Sequence, residues 1–440
     1  MNLARLASER GRDGRPVRAG LIGAGKFGTM FLAQVPHIDG LDVTAIADLD
    51  PERTRRALSE TGWDTAAIER TTLLDSGADV VARDDVDVVI EATGNAVAGV
   101  DHALAAIAAG RHVVMVNVEA DVLAGPALAV RAAAAGVVYS MAYGDQPALV
   151  AEMVDWARAT GFRVAAAGKG TRYLPAYHKV TPAEVWTHYG ITPQAAAAAG
   201  MNPKMFNSFL DGTKSAIEMA AIANACALDV PSGGLAFPPC GVDDLAHLMR
   251  PRAEGGVLEA RGIAEVVSSL ERDGRPVFRD LRWGVYVILE APTPYAASCF
   301  GQYGLQTDAS GRFAAMFKPY HLIGLELSVS VLSAALRGEP TGRAEACRAG
   351  VVCVAKRDLA EGEVLDGEGG YMVWGRARPA ADAAAGLPMG LADGARLTRP
   401  VRAGDEIALD AVETAPSAAR DLWRECIAAA AEAGGRTCSG

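Results

Sequence analysis

Gly23-x-Gly25-x-x-Gly28 is the feature that most narrows what this chain can fold into. It stands between an apolar run, Val17–Ile22, and a helical pattern that continues to Val35. Strand, glycine turn and helix in that order open a doubly wound α/β sheet. The first glycine permits the tight turn, the second lets the backbone approach a pyrophosphate, and the third allows close helix–strand packing. The helix start then offers free N–H groups and the positive end of its dipole to the anion. Asp48 follows Gly28 by about 20 residues, at the end of a second strand over Val43–Ala47, where its carboxylate can accept from a ribose 2′-hydroxyl. Gly23, Gly25, Lys26, Phe27, Gly28 and Asp48 are therefore the expected dinucleotide contacts. Asp48 favours NAD, because a carboxylate there repels a 2′-phosphate. Arg53 and Arg55, close behind it, keep NADP open.

The alternation continues. The pattern predicts a helix over Pro51–Gly62 with Asp50 as N-cap, a strand over Val86–Ile90, and a helix over Ala98–Ala109 closed by Gly110. A strand over His112–Val116, a helix over about Pro126–Ala135, a strand over Val137–Met141 and a helix over Pro147–Thr160 follow. Such alternation implies a parallel sheet covered on both faces. The small residues of Glu91–Asn95 leave room for the nicotinamide side of a cofactor, which adds Thr93, Gly94 and, after the next strand, Asn117 to the expected contacts.

Beyond residue 150 the texture changes. Thr181–Ala227 reads as helical, with turns at Gly200 and Gly212, and strands are expected over Glu265–Ser269, at Val277 and over Val285–Glu290. With an apolar helix over His321–Leu336, this order predicts an α+β domain on an antiparallel or mixed sheet. Near the C-terminus a strand over Val351–Ala355 precedes two segments that echo each other, Leu359–Leu365 and Val401–Ile407. The expected organisation is α/β: a Rossmann domain over 17–150, a catalytic domain over 151–345, a small β module over 346–415 and a terminal helix within 416–440.

Composition removes several function classes. A net charge of −11 gives no basic face for nucleic acid. The seven cysteines are widely spaced without a CxxC pair, so neither a disulfide framework nor a structural zinc site is expected. No run of about 20 apolar residues predicts a membrane span. The polar, arginine-rich Met1–Arg18 is not a secretory signal, and a cytoplasmic protein is expected.

Hydride exchange at a carbinol or carbonyl needs an acid or base on the oxygen and often a cation to polarise it. Asn117 and Glu119 follow one strand, and Asp145 and Gln146 the next, at the sheet edge where α/β ligands bind. Lys169 lies between Gly168 and Gly170, glycines that suit close approach of backbone to a ligand. Lys204, Asn207, Asp211 and Lys214, spaced three, four and three, share one face of a single helix if the helix runs through. His178, His188 and His321 lack metal-type spacing. A divalent metal on Asp145, Glu119 and Glu218 is allowed by chemistry but signalled by no pattern, so no metal site is predicted.

The Gly23–Gly28 loop, Val116–Asp121, Gly144–Pro147, Gly168–Tyr173, Met201–Lys214 and Met249–Gly256 together resemble homoserine-dehydrogenase-like oxidoreductases. Within these they are most similar to the group holding the type II deoxyxylulose-phosphate reductoisomerase-like enzymes, whose C-terminal module, like this one, looks like a SAF domain. The resemblance implies a homo-oligomer (dimer or tetramer) acting with NAD or NADP on a small molecule. The reaction it implies is reduction with a carbon-skeleton rearrangement of a phosphorylated keto sugar such as 1-deoxy-D-xylulose 5-phosphate. Oxidation of branched sugar acids or other hydroxy acids is the alternative activity, and a non-catalytic dinucleotide sensor the alternative class. Homoserine dehydrogenases carry a lysine near the position of Glu119, a departure that points away from homoserine itself. For an anionic substrate, Arg172, Lys204, Lys214, Arg250 and Arg252 are the available cations. Lys169 and Lys204 are expected to polarise the reacting oxygen, with Glu119 or Asp211 as acid/base.

Overall fold

The computed structural model describes residues 2–437, which divide into two compact units. The first takes the chain to Leu149 together with Leu322–Glu345 and Asp421–Trp423; the second takes Val150–His321, Ala346–Arg420 and the chain from Arg424. Cys438 lies outside the described residues, as does the end of the terminal segment expected over 416–440.

The first unit carries six parallel strands: β1 (Val17–Ile22), β2 (Leu41–Ala47), β3 (Thr72–Leu74), β4 (Val88–Glu91), β5 (His112–Met115) and β6 (Tyr139–Met141). Their spatial order is β3-β2-β1-β4-β5-β6, a doubly wound sheet whose strand order reverses beside β1, where ligands of such sheets bind. Strands buried on both faces read as near-continuous apolar runs, as Val88–Ile90 of β4 and Val113–Met115 of β5 do. Side chains cap the intervening helices. Asp50 accepts from the Arg53 N–H (2.9 Å), Asn95 from Ala98 (3.0 Å) and Asn117 from Ala120 (3.1 Å), each cap contributing about 1 kcal/mol.

Two helices differ from expectation. The one expected from about Pro126 begins at Val118, because the Asn117 cap starts it there; Pro126 sits inside it. Proline removes one helical hydrogen bond, but Leu123, Leu128 and their neighbours on the same helix are buried and hold it together. The helix expected from His321 spans only Ser328–Arg337, since the chain turns at Gly324 (φ +73°), where a Cβ would stand 2.7 Å from the Phe27 carbonyl oxygen. Leu327, Val331 and Leu332 enter the same core as Leu21, Ile90 and Val114. That packing is why 322–345, expected in the middle domain, belongs to the first unit.

The second unit is built on a mixed sheet in the order β10-β9-β7-β8. Its strands are β7 (Arg163–Thr171), β8 (Ile263–Ser268), β9 (Val285–Glu290) and β10 (Phe313–Lys318). β7 is central: it runs parallel to β8 and antiparallel to β9. Val277 lies in no strand; its stretch forms only the isolated bridge Leu270↔Pro276. Residues 181–227 are helical in pieces, including Pro203–Leu210 and Thr213–Cys226.

The C-terminal part pairs β11 (Ala349–Ala355) with β12 (Val373–Pro379), and β13 (Arg396–Leu397) with β14 (Val412–Glu413). The two echoing segments meet, with reciprocal bonds from Leu359 N–H to the Val401 carbonyl (2.8 Å) and back (2.9 Å). A helix over Ala418–Thr437 follows. No helix among the described residues is long and apolar enough to cross a membrane.

Candidate active site

The glycine loop has the shape a dinucleotide needs. Gly23 has φ +97°, and a Cβ on it would stand 2.5 Å from the Ala92 carbonyl oxygen, so only glycine fits. A Cβ on Gly28 would stand 2.5 Å from the Gly23 oxygen, which is the close helix–strand packing expected of the third glycine. Around Gly25 nothing lies within 4 Å of that position; it caps the helix Lys26–Gln34 and faces open space where an anion can approach N–H groups. Lys26 is exposed in the first turn, and Phe27 packs on the core.

Asp48 stands at the tip of β2 with only 8% of its side chain exposed. One carboxylate oxygen accepts from the Ala24 N–H (2.9 Å); the other accepts from Asp50 N–H (3.0 Å) and the Arg53 guanidinium (2.7 Å). Burial works against ionisation, but these donors outweigh it and hold the carboxyl below its ordinary value. A carboxylate oxygen has two lone pairs, so the Ala24-bonded oxygen keeps one for a ribose hydroxyl. The residues present fit NAD.

Beyond β4, Thr93 and Gly94 are exposed, and Gly94 (φ +72°) has open space around it. Asn117, buried after β5, donates to the Asn95 carbonyl (2.9 Å) and so ties the two loops together. Sequence reasoning missed Glu91 as a determinant. It is fully buried, accepts from the Thr93 hydroxyl (2.6 Å), and lies 3.3 Å from His102 Nδ1. Its signal was an acid closing an otherwise apolar strand. Glu119 is half-buried in the first turn of its helix, where an acid suits the dipole. Asp145 is buried and accepts from the Gln146 N–H (2.9 Å).

In the second unit Lys169 projects from the central strand and forms a buried ion pair with Glu218 on the helix Thr213–Cys226. The sequence offered Glu218 only as a remote metal ligand. Among the described residues no three His, Cys, Asp or Glu side chains form a metal-holding group. The glycines around Lys169 make room for the protein itself rather than for a ligand. A Cβ on Gly168 would stand 1.9 Å from the Glu265 carbonyl oxygen, and one on Gly170 1.9 Å from that of Leu281.

Lys204, Asn207, Asp211 and Lys214 do not share one helix. The chain breaks at Gly212 (φ +90°), leaving Lys204 and Asn207 on one helix and Lys214 on the next. Three of the four reach the C-terminal segment. Lys204 donates to the Asp366 carbonyl, Asn207 to the Gly369 carbonyl (2.9 Å), and Asp211 pairs with buried Lys356 (2.8 Å). Lys214 is half-buried in the first turn of the second helix. Nearby, His178 stacks on Trp374 (3.8 Å) and bonds Tyr173 (2.8 Å). Burial pushes it down to about 4, so it is neutral.

Residues 17–116 match the oxidoreductase family with NAD-binding Rossmann fold, GFO/IDH/MocA. Residues 144–327 match the oxidoreductase DRL catalytic domain. A glycosyl hydrolase family 109 protein of Shewanella amazonensis is 38% identical over 101 residues, 22% of this chain and 21% of that protein, so the chain spans about a fifth of its curated relative. Among solved structures, a probable dehydrogenase from Thermotoga maritima is 14% identical at a TM-score of 0.40, covering 74% of this chain and 90% of that one. Myo-inositol dehydrogenase from Lactobacillus casei, solved with NAD(H) and myo-inositol, is 14% identical at 0.34, covering 62% and 71%. Cradle and matched families agree: residues 17–116 are similar to an NAD-binding oxidoreductase Rossmann domain and residues 144–327 to an oxidoreductase catalytic domain.

Proposed function

We propose that this oxidoreductase interconverts a small, polar, anionic hydroxy compound and its keto form, with Lys169 as the acid/base on the reacting oxygen and Glu218 as its proton partner. The buried Lys169–Glu218 pair on the central strand of the DRL domain carries this reading. Two charges removed from water are costly unless they are paired, and acids and bases for catalysis are commonly kept in such surroundings. NAD, favoured by Asp48, supplies or receives the hydride when bound. In the reducing direction hydride adds to the carbonyl carbon, and the C=O electron pair moves to oxygen. The Lys169 ammonium gives that oxygen a proton, and the amine regains one through Glu218. Such proton transfer contributes about 10²–10⁴-fold.

The substrate we propose to test first is 1-deoxy-D-xylulose 5-phosphate, on the resemblance of Gly168–Tyr173 and Met201–Lys214 to reductoisomerase-like enzymes. A cytoplasmic homo-oligomer is part of the same proposal. The test is loss of nicotinamide absorbance with NADH or NADPH and this keto phosphate, with and without magnesium or manganese. Turnover that disappears in Lys169→Ala, with NADH affinity kept, supports the proposal. Absence of turnover with every keto and hydroxy acid tried, NADH binding retained, overturns it in favour of a sensor.

A further inference from the structure

Of the five cations expected to be available to an anionic substrate, three are engaged elsewhere. Arg250 is paired with buried Asp308, Arg252 donates to the Val257 carbonyl (3.1 Å), and Lys204 donates to the Asp366 carbonyl. Arg172 is different. Its Nε is buried without a hydrogen-bond partner, and among the described residues its guanidinium pairs with no carboxylate.

A second arginine joins it. The Leu281–Arg282 backbone packs against Gly170 near the end of β7, two residues before Arg172, which follows the strand: a Cβ there would stand 2.9 Å from the Arg282 nitrogen. The Arg282 guanidinium lies 4.5 Å from the Trp283 ring centre and 5.9 Å from that of Tyr189. It too pairs with no carboxylate among the described residues; the exposed Asp280 accepts only its backbone N–H (2.8 Å). Burial, with Arg172 as a like charge, pushes the Arg282 guanidinium below its ordinary value. Tyr189, which feels both arginines, is raised by burial to about 12 and stays protonated.

Arg172 and Arg282, each half-buried and paired with no acid among the described residues, act on each other as like charges, a cost that a bound anion removes. Guanidinium forks match phosphate oxygens in geometry, and two positive charges match a dianion better than a single carboxylate. We infer that Arg172 and Arg282, beside Tyr189, form the subsite that binds the phosphate group of the substrate. The inference rests on the proposed oxidoreductase reading for the word substrate, but the anion site stands on its own residues.

Trp283, stacked on Arg282, is the reporter. Inorganic phosphate titrated into the full chain is expected to change tryptophan fluorescence saturably, and acetate to bind at least tenfold more weakly. Arg172→Gln and Arg282→Gln should each weaken phosphate at least tenfold, while Arg402→Gln, on the C-terminal module, leaves it unchanged. Trp283→Phe should remove the optical signal yet keep phosphate binding by calorimetry. NADH affinity, measured on the same samples, reports that the variants are folded. No saturable phosphate binding by the native chain, or binding within twofold of native in either arginine variant, overturns the subsite. Acetate binding as tightly as phosphate overturns its assignment to a phosphate. Phosphate binding lost in both variants without any turnover of the native chain leaves the subsite standing and sinks the proposed activity instead.

Discussion

Two glycine clusters, one in each unit, look alike in sequence and do opposite things. In the nucleotide cradle the middle glycine, Gly25, opens onto empty space. Around Lys169, both Gly168 and Gly170 are met by backbone oxygens of the chain itself. A glycine therefore says that something comes close, not what. The carboxylates nearby divide the same way. Asp48 is held low by donors and ready for a ligand. Glu265, opposite Gly168 in the strand ladder, is fully buried and pushed up to about 7 by burial, despite accepting from the Ala236 and Phe237 N–H groups. In the first region the middle glycine is left open; in the second both glycines are met by the chain's own backbone, beside the buried charge of Lys169.

The largest expected effect tests that last statement. Lys169→Ala should lower turnover about 10³-fold, within the range for a lost general acid or base, and leave NADH affinity unchanged. It also breaks the buried ion pair with Glu218, so stability should fall as well. The double variant Lys169→Met with Glu218→Gln separates the two roles. If it regains stability but not turnover, the lysine is chemical. Recovery of turnover would make it structural and erase the contrast.

Gly170→Ala comes next. Its methyl must displace the Leu281 carbonyl, and overpacking of this kind costs about 3 kcal/mol, read as a fall in Tm for the second unit. An unchanged Tm would mean that the space is not filled.

The contrast also explains what could be read in advance. β1 runs over Val17–Ile22 as expected, and Asp50 caps where expected, because both signals are local: an apolar run, a glycine turn, an acid before proline. The Lys204–Lys214 stripe misled because spacing assumes an unbroken helix, and Gly212 adopts a left-handed φ. Its partners, Asp366, Gly369 and Lys356, lie far along the chain, where no periodicity points. The Lys169–Glu218 pair is likewise made by packing a helix on a strand. Arg282 was missed because only the folded chain brings its loop against Gly170, near the end of the strand that leads to Arg172. The narrow helix at Ser328–Arg337 was legible as apolar, but not which sheet it covers.

Glu265→Gln should act through pH. The folded carboxyl titrates near 7 and the unfolded one near 4.5, so the folded state binds more protons between those values. Stability therefore falls as pH rises through that window and stays reduced above it, by about 3 kcal/mol at 1.4 kcal/mol per unit. The glutamine keeps an acceptor for the Ala236 N–H and carries no charge to desolvate. Urea melts at pH 5 and pH 8 should differ less in the variant than in the native chain. An equal difference would show that Glu265 is ionised in the folded state, hence more like Asp48 than we hold.

The smallest effect belongs to the cradle. Gly25→Ala adds a methyl where no protein atom lies within 4 Å, at a φ of −68° that alanine adopts without strain. Stability should stay within about 0.5 kcal/mol of native, as for substitutions away from packed features. The methyl should instead meet the pyrophosphate, since this is the glycine that lets backbone approach it. NADH affinity should fall about tenfold, equivalent to about 1.4 kcal/mol, with the melting curve unmoved. A variant that loses stability but keeps its NADH affinity would reverse the assignment, making Gly25 a packing glycine like Gly168 and moving the pyrophosphate elsewhere on the sheet edge.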